Sequence, residues 1–347
     1  MHQHGERVIV GLQVDSYNLA LRENGGFVGD RARSRAFQDA LDETRRQWRQ
    51  RLGHDPLGVV DSGDRAALDD VLDRPGSSAA DLLDMAIDSY AGRLTDVVDR
   101  FLACPEWRGT ELIVVGGGLR ECRVGEEAIR RAAVRLRSAG AAVTLRPIRS
   151  HPDEAALLGA VHLCSADLPS DRDSILAVDI GGGNIRAGVV MPNRGKSPEF
   201  AACSVAMRAH WRHREEKAGR DAVVDRLAAM VHRLAAEAAA AGLRPASQIV
   251  IGCPGEIRAD GRIVQGGQNL PGDWEAPDFN LPALLRDAIP KIGAADTTVL
   301  MHNDAVLQGL SERPWVGEAL RWGILTIGTG LGNARFSREG SSSAPEC

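Results

Sequence analysis

The chain has 347 residues, of which 44% are hydrophobic and 26% charged, with a net charge of −5. That is enough for two soluble domains of ordinary size, and the acidic balance speaks against a nucleic-acid partner. No apolar run approaches the length of a bilayer span, and the stretch 1–7 lacks the apolar core of a secretory signal, so the expectation is a cytoplasmic protein with no membrane partner.

In chain order, the first seventy or so residues match no recognisable pattern. Within them, 31–52 carries seven arginines and reads as a solvated helix face, and 53–78 reads as loop. Leu83, Ile87, Tyr90, Leu94, Val97, Val98 and Phe101 recur at helical spacing and predict a helix over 79–102. An apolar strand over 111–115 runs into Gly116, Gly117 and Gly118. Helices are expected over 128–139 and 154–163, then a polar linker over 164–174. A strand over 175–178 leads to Asp179 and to Gly181, Gly182 and Gly183, and 191–198 reads as loop. Val223, Leu227, Met230, Val231 and Leu234 place a helix over 220–241. A strand over 248–252 meets Cys253-Pro-Gly255, and 265–282 reads as loop. The strand 298–301 reaches His302, Asn303 and Asp304 before a helix-like run. A last strand, 323–327, enters Gly328-Thr-Gly-Leu-Gly332, and the serine-bearing tail after Arg338 reads as a mobile end. Strands alternating with helices indicate α/β layering. The cysteines, at 104, 122, 164, 203, 253 and 347, form no Cys-x-x-Cys pair, which fits reduced thiols.

Two glycine turns follow apolar strands. Backbone N–H groups in such turns can approach phosphate without side-chain obstruction, and Thr329 adds a hydroxyl donor. A glycine hairpin with no ligand is the alternative reading of each. Asp179, at a strand end, can orient magnesium through water. Asp304, also at a strand end, can accept a substrate proton, or it can be a helix N-cap. Gly195-Lys-Ser197 is not a P-loop, because Val190 stands where the first glycine is needed. A dinucleotide fingerprint fails at Glu121 and at Asn333.

Asp179-Ile-Gly-Gly-Gly-Asn-Ile-Arg-Ala-Gly188 resembles the first phosphate motif of ROK sugar kinases, in the actin/hexokinase/Hsp70 superfamily. Gly252-Cys-Pro-Gly255, Asn269-Leu-Pro-Gly-Asp-Trp274, Asn303-Asp-Ala305 and Gly328-Thr-Gly-Leu-Gly332 follow in the family's order. Leu112-Ile-Val-Val-Gly-Gly-Gly118 resembles the family's adenosine motif, and Asp153-Glu-Ala-Ala-Leu-Leu-Gly-Ala160 its closing helix, yet both stand upstream. The resemblance therefore implies a circularly permuted order.

It also implies a two-lobed, actin-like (ribonuclease H-like) α/β fold with ATP and Mg2+ in a cleft between the lobes. One lobe would hold 1–150 with 299–347, the other 171–298, with 151–170 as closing helix and linker. By resemblance, Asp304 is the general base, while Asn303, Asn269 and Gly255 contact a hexose or amino-hexose. Asp179, Gly181, Gly182, Gly183, Asn184, Gly328, Thr329, Gly330 and Gly332 would hold the phosphates, and Gly116, Gly117 and Gly118 the adenosine. The chain departs from the family in three ways: Gly183 replaces a threonine, the cysteine-rich zinc motif is absent together with its Glu-x-Gly-His sugar contacts, and the first seventy or so residues match no family element, while no N-terminal winged helix is evident, which speaks against the family's repressor branch. No structural zinc is therefore expected. The expected partner is a small sugar, with a homodimer left open. The competing expectation is a regulatory protein that binds sugar or nucleotide without turnover.

Overall fold

A computed structural model of the chain describes residues 3–164 and 167–338. The expected mobile tail, with Cys347, and two positions of the expected linker lie outside the described residues. The architecture is mixed α/β. Its main strands are β1 (Leu12–Tyr17), β2 (Leu112–Gly116), β3 (Thr144–Pro147), β4 (Ser174–Ile180) and β5 (Ile185–Met191). They continue with β6 (Ser204–Trp211), β7 (Pro245–Cys253), β8 (Thr298–Asn303), β9 (Arg321–Ile327) and β10 (Leu331–Arg338). The main helices are α1 (Ser34–Leu52), α2 (Arg65–Leu72), α3 (Ser78–Leu102) and α4 (Arg123–Ser138). After them come α5 (Pro152–Cys164), α6 (Arg220–Ala240), α7 (Leu281–Ala288) and α8 (Asp304–Leu310). None of the described helices is long and apolar enough to cross a membrane.

The chain divides into two compact units. The first comprises 1–18, 153–320 and 332–347, and the second 19–152 and 321–331. The expected lobe boundary at 298/299 falls at the start of β8, which pairs in parallel register with β7 from Gln248↔Thr298 to Cys253↔Asn303. Backbone pairing thus keeps β8 and the helix after it with the strands before it.

In the first unit, β4 is antiparallel to β5, β5 is antiparallel to β6, β4 is parallel to β7, and β7 is parallel to β8. Every residue of β4 is buried, as expected for a central strand covered on both faces. One face packs Leu176, Val178 and Ile251 against Val223, Leu227 and Leu234 of α6 and Leu285 of α7. On α5, Gly159 is obligatory: a Cβ there would lie 1.7 Å from the Leu307 carbonyl oxygen, so α5 crosses α8 backbone to backbone. Leu157 of the same helix reaches Gly188 of β5.

In the second unit, β9 is parallel to β2, and β2 is parallel to β3. Their apolar residues Ile113, Val115, Leu325 and Ile327 pack against α1, α3 and α4. Stretch 31–52 is, as read, largely one helix, α1. The expected loop 53–78 contains α2, whose Asp64 cap accepts from Ala67 N and whose Leu68 and Val71 are buried. Two apolar anchors are too few for periodicity to reveal a helix. The N-terminal region also holds an unforeseen strand, β1, antiparallel to β10.

Candidate functional site

Three parallel strands of the first unit end side by side, and their ends carry polar groups. Register sets Gly252 on β7 beside Asp179 on β4 and beside His302 on β8. The carboxyl ends of strands in open α/β sheets are where ligands bind. Gly252 is closely approached: a Cβ there would lie 3.2 Å from the Leu307 Cδ2, 3.4 Å from the Asp304 Cα and 3.7 Å from the Asp179 Oδ1.

Asp304 is the first residue of α8 and retains part of its surface. Burial of its carboxyl, reinforced by the nearby Asp179 charge, pushes its pKa up to about 7, against the pull of N–H groups at Ala305 and Asp304 itself. Asp179 is 3% exposed, and burial raises its pKa too. It is steadied by Arg186, whose Nη1 lies 3.3 Å from the Asp179 Oδ2 and whose Nε lies 2.5 Å from the Asp153 Oδ1. Burial, reinforced by the same carboxylates, holds the Cys253 thiol well above its usual pKa, so this thiol stays neutral.

The N-cap of α8 is Asn303, not Asp304. Asn303 Oδ1 accepts from Ala305 N at 3.0 Å and Val306 N at 3.3 Å, and its Nδ2 donates to Gly255 O at 3.0 Å. The amide so engaged positions α8 and the turn at Gly255. Beside it, His302 Nδ1 accepts from Asn303 N, leaving Nε2 to donate to Glu6 O at 2.9 Å. Burial lowers the His302 pKa to about 4, so the ring is neutral and structural.

The first glycine turn joins β4 to β5. Gly181 N donates to Asn184 O at 2.8 Å. The turn's carbonyls are held from β6 and the residues after it: His213 Nε2 donates to Gly181 O at 2.9 Å, Arg214 Nη2 to Gly182 O at 2.9 Å, and Arg214 N to Gly183 O at 3.3 Å. Asn184 Oδ1 is 2.9 Å from His210 Nε2. With the carbonyls held, the N–H groups of Gly182 and Gly183 meet no acceptor among the described residues. Asn269 is exposed and adjoins the turn, since a Cβ on Gly182 would lie 3.0 Å from its own Cβ.

The first unit thus brings together Asp179, Gly181, Gly182, Gly183, Asn184, Asn269 and Asp304, with Gly255 and Asn303 behind them. Gly332 belongs to the same unit, in β10.

Gly116, Gly117, Gly118, Gly328, Thr329 and Gly330 belong to the second unit. There, Thr326 is the register partner of Gly116, so both turns emerge from neighbouring parallel strands. Gly117 has φ +84°, and a Cβ on it would overlap Ile327 backbone atoms at 2.4 to 2.7 Å. Gly328 N donates to Gly330 O at 3.0 Å, and Ser34 N to Gly328 O at 3.0 Å. Arg65 reaches the Gly118 carbonyl at 2.5 Å. Among the described residues no cluster of three or more His, Cys, Asp or Glu side chains could hold a metal ion.

Sequence reasoning assigned no role to Gly252, Asp153, Arg186, His210, His213 or Arg214. For Arg186 a signal existed: a hairpin turning at 181–184 sets it opposite Asp179. The other side chains depend on where β6 and α5 dock, which local sequence does not specify.

No protein-family model matches the chain, and no curated protein does. Among solved structures it is similar to a candidate sugar kinase from Cytophaga hutchinsonii, at 18% identity and TM-score 0.35, over 47% of each chain. It is similar to Lmo2764, a candidate N-acetylmannosamine kinase from Listeria monocytogenes, at 25% identity and TM-score 0.34, over 48% of this chain and 47% of that one. An exopolyphosphatase-like protein matches at 15% identity and TM-score 0.30, over 72% of this chain and 86% of its own. The chain spans about half the length of the two kinase structures it matches.

Proposed function

We propose that the protein is an ATP-dependent sugar kinase of the ROK type, with Asp304 as general base. The observation that carries this reading is Asp304 itself. It is a desolvated carboxyl titrating near 7, at the end of a parallel strand, in the unit that carries a glycine turn with two available N–H groups. A base poised near neutral pH both holds the right protonation state and retains driving force for proton transfer.

The residues fit magnesium and a triphosphate. Asp179 and Asp304 are close enough for the Asp179 charge to raise the Asp304 pKa, and the 181–183 turn offers the N–H groups of Gly182 and Gly183. Asp179 is the residue that would hold magnesium, and Mg-ATP when bound would supply the phosphoryl group with the metal offsetting its charge. Gly182 and Gly183 N–H groups steady phosphate oxygens. Asp304 takes the proton of the sugar hydroxyl as that oxygen forms its bond to the γ-phosphorus and the bond to the ADP oxygen breaks. Asn269, exposed beside the turn, is the direct sugar contact. Asn303 positions Asp304 and Gly255 through the hydrogen bonds of its amide. The reading gives Gly116, Gly117 and Gly118 to adenosine and the 328–332 turn to phosphate.

A permuted ROK order is part of the proposal, and strand pairing supports it. Strands β4, β5, β6, β7 and β8 follow one pattern: a strand, a glycine turn to its antiparallel neighbour, a third antiparallel strand, then two parallel strands on the first strand's other side. Strands β9, β10, β1, β2 and β3 take the same parts. β9 enters its glycine turn and continues into β10, β1 is antiparallel to β10, β2 is parallel to β9, and β3 is parallel to β2. Only the chain order is rotated, with the cut between the second and third strands of the pattern. Helix α5, which follows β3, packs on α8 through Gly159, as a closing helix would.

The test is purified protein with Mg-ATP and a panel of hexoses and amino-hexoses, read by ADP release. Sugar-dependent release is expected. Release without sugar would indicate an ATPase. Thermal stabilisation by nucleotide or sugar without release would indicate a binding protein that does not turn over.

A further inference from the structure

On the proposed reading Asn269 is the direct sugar contact, while the amide of Asn303 is engaged with Ala305, Val306 and Gly255. A hexose presents several hydroxyls, so one amide leaves most of them to other groups. The N-terminal stretch that matches no recognisable pattern reaches this part of the first unit. Its strand β1 ends at Tyr17, whose hydroxyl donates to Ile257 O at 3.2 Å and whose ring meets His302 edge-on, 5.1 Å between centroids. His302 directly precedes Asn303 and Asp304. The end of β1 is thereby fixed against the strand that carries the proposed base.

Asn18 comes next. Its N–H donates to Asn333 O at 3.0 Å, and its φ of +53° lies in the left-handed region, which asparagine tolerates better than most residues. Its side chain rests on two glycines. A Cβ on Gly266 would lie 2.6 Å from the Asn18 Nδ2, 3.1 Å from its Oδ1 and 2.8 Å from the Gly255 Cα. Gly255 in turn accepts at its carbonyl from Asn303 Nδ2 at 3.0 Å. Asn18, Gly266, Gly255, Asn303 and Asp304 thus form one contiguous row. Within the chain the Asn18 amide is hardly used: Nδ2 donates to Gln265 O at 3.5 Å, long for a hydrogen bond, and Oδ1 meets no donor among the described residues. The residue is half-buried. An amide on a fixed backbone, with a free acceptor and a free N–H, is suited to a hydroxyl, which both donates and accepts.

We propose that Asn18 is a further sugar-binding residue, whose amide hydrogen-bonds one hydroxyl of the hexose beside the Gly255 turn. It selects among sugars by that hydroxyl and takes no part in nucleotide binding or proton transfer. This rests on the kinase reading, and it gives the unmatched N-terminal stretch a role in substrate choice.

The test uses the full chain and the hexose or amino-hexose that drives ADP release. Wild type is compared with N18G, which removes the amide and leaves the left-handed backbone unstrained. Each protein is checked for an unchanged thermal melt, and N18S is a second truncation should glycine loosen the end of β1. KM is measured for the sugar and for Mg-ATP, and inhibition constants for the sugar's monodeoxy analogues. In N18G the sugar KM is expected to rise about three- to tenfold, the usual loss for one neutral hydrogen bond, with kcat and the KM for Mg-ATP within about twofold of wild type. The analogue that lacks the contacted hydroxyl should inhibit both proteins alike. An unchanged sugar KM would overturn the proposal, and so would equal weakening of the sugar and every analogue, which would make Asn18 only a brace for the Gly255 turn. A wild-type protein without sugar-dependent ADP release would overturn the kinase reading itself, and the proposal with it.

Discussion

The 181–183 turn and the 328–330 turn look alike in sequence, and they are held in different ways. In the second unit the restraint is backbone against backbone: Gly117 packs on Ile327, Ser34 N reaches Gly328 O, and Gly328 closes on Gly330. In the first unit the restraint comes from side chains, with His213 and Arg214 on the carbonyls and His210 on Asn184. The first turn also shares its unit with two desolvated carboxyls. On the proposed reading, proton transfer is assigned to the first unit because Asp304 lies there.

Asp304→Asn should break that contrast most severely. Phosphoryl transfer is expected to fall by a factor of roughly 10² to 10⁴, the usual loss on removing a general base, with Mg-ATP affinity nearly unchanged. Steady-state kinetics beside nucleotide titration would check both halves.

Glycine substitutions sharpen the comparison of the turns. Gly117→Ala forces a Cβ to 2.4 Å from a backbone oxygen at φ +84°, and it should cost roughly 3 kcal/mol of stability. Gly183→Ala meets nothing closer than 3.5 Å and should cost less than about 1 kcal/mol. Equal losses in urea titrations would contradict the distinction between a backbone-held and a side-chain-held turn.

The buried carboxyl also has a thermodynamic signature. Asp304 holds its proton to about 7 when folded and to 3.8 when unfolded. The unfolded state therefore releases that proton first, and stability falls as pH rises through this window. Asp304→Asn removes the penalty and should stabilise the protein at pH 8 by up to about 4 kcal/mol, with little difference at pH 3. Melting temperatures at the two pH values decide it. Arg186→Gln should show the smallest effect and the opposite sign, a loss of about 1 kcal/mol at pH 8. The loss should shrink in acid, where Asp153 and Asp179 become neutral and no longer pair with the guanidinium.

Much of the first unit was legible because its determinants are local. The apolar run of β4, the three glycines and the run of β5 announce a hairpin, and hairpin spacing alone sets Arg186 opposite Asp179. Asp304 was legible as a carboxylate at a strand end, although the cap expected of it belongs to its neighbour Asn303. Strand β1 was present as an alternation, Leu12, Val14 and Ser16 against Gln13 and Asp15, but a lone six-residue run with no turn signal of its own is easily passed over. Gly159 was unreadable in a different sense. Its need to be glycine arises from Leu307, 148 positions away by their numbers, and only docking of α5 on α8 reveals it. Arg214 lay hidden for the same reason, being one arginine among many until β6 carries it to the turn.

The most direct test of the account is the rate of sugar-dependent ADP release by the wild-type protein across pH 5 to 9, at saturating Mg-ATP. The account predicts a single rising limb with a midpoint about pH 7, as Asp304 loses its proton, followed by a plateau. A rate that is flat from pH 5 to 8, or that declines through 7, would contradict Asp304 as the base and with it the mechanism.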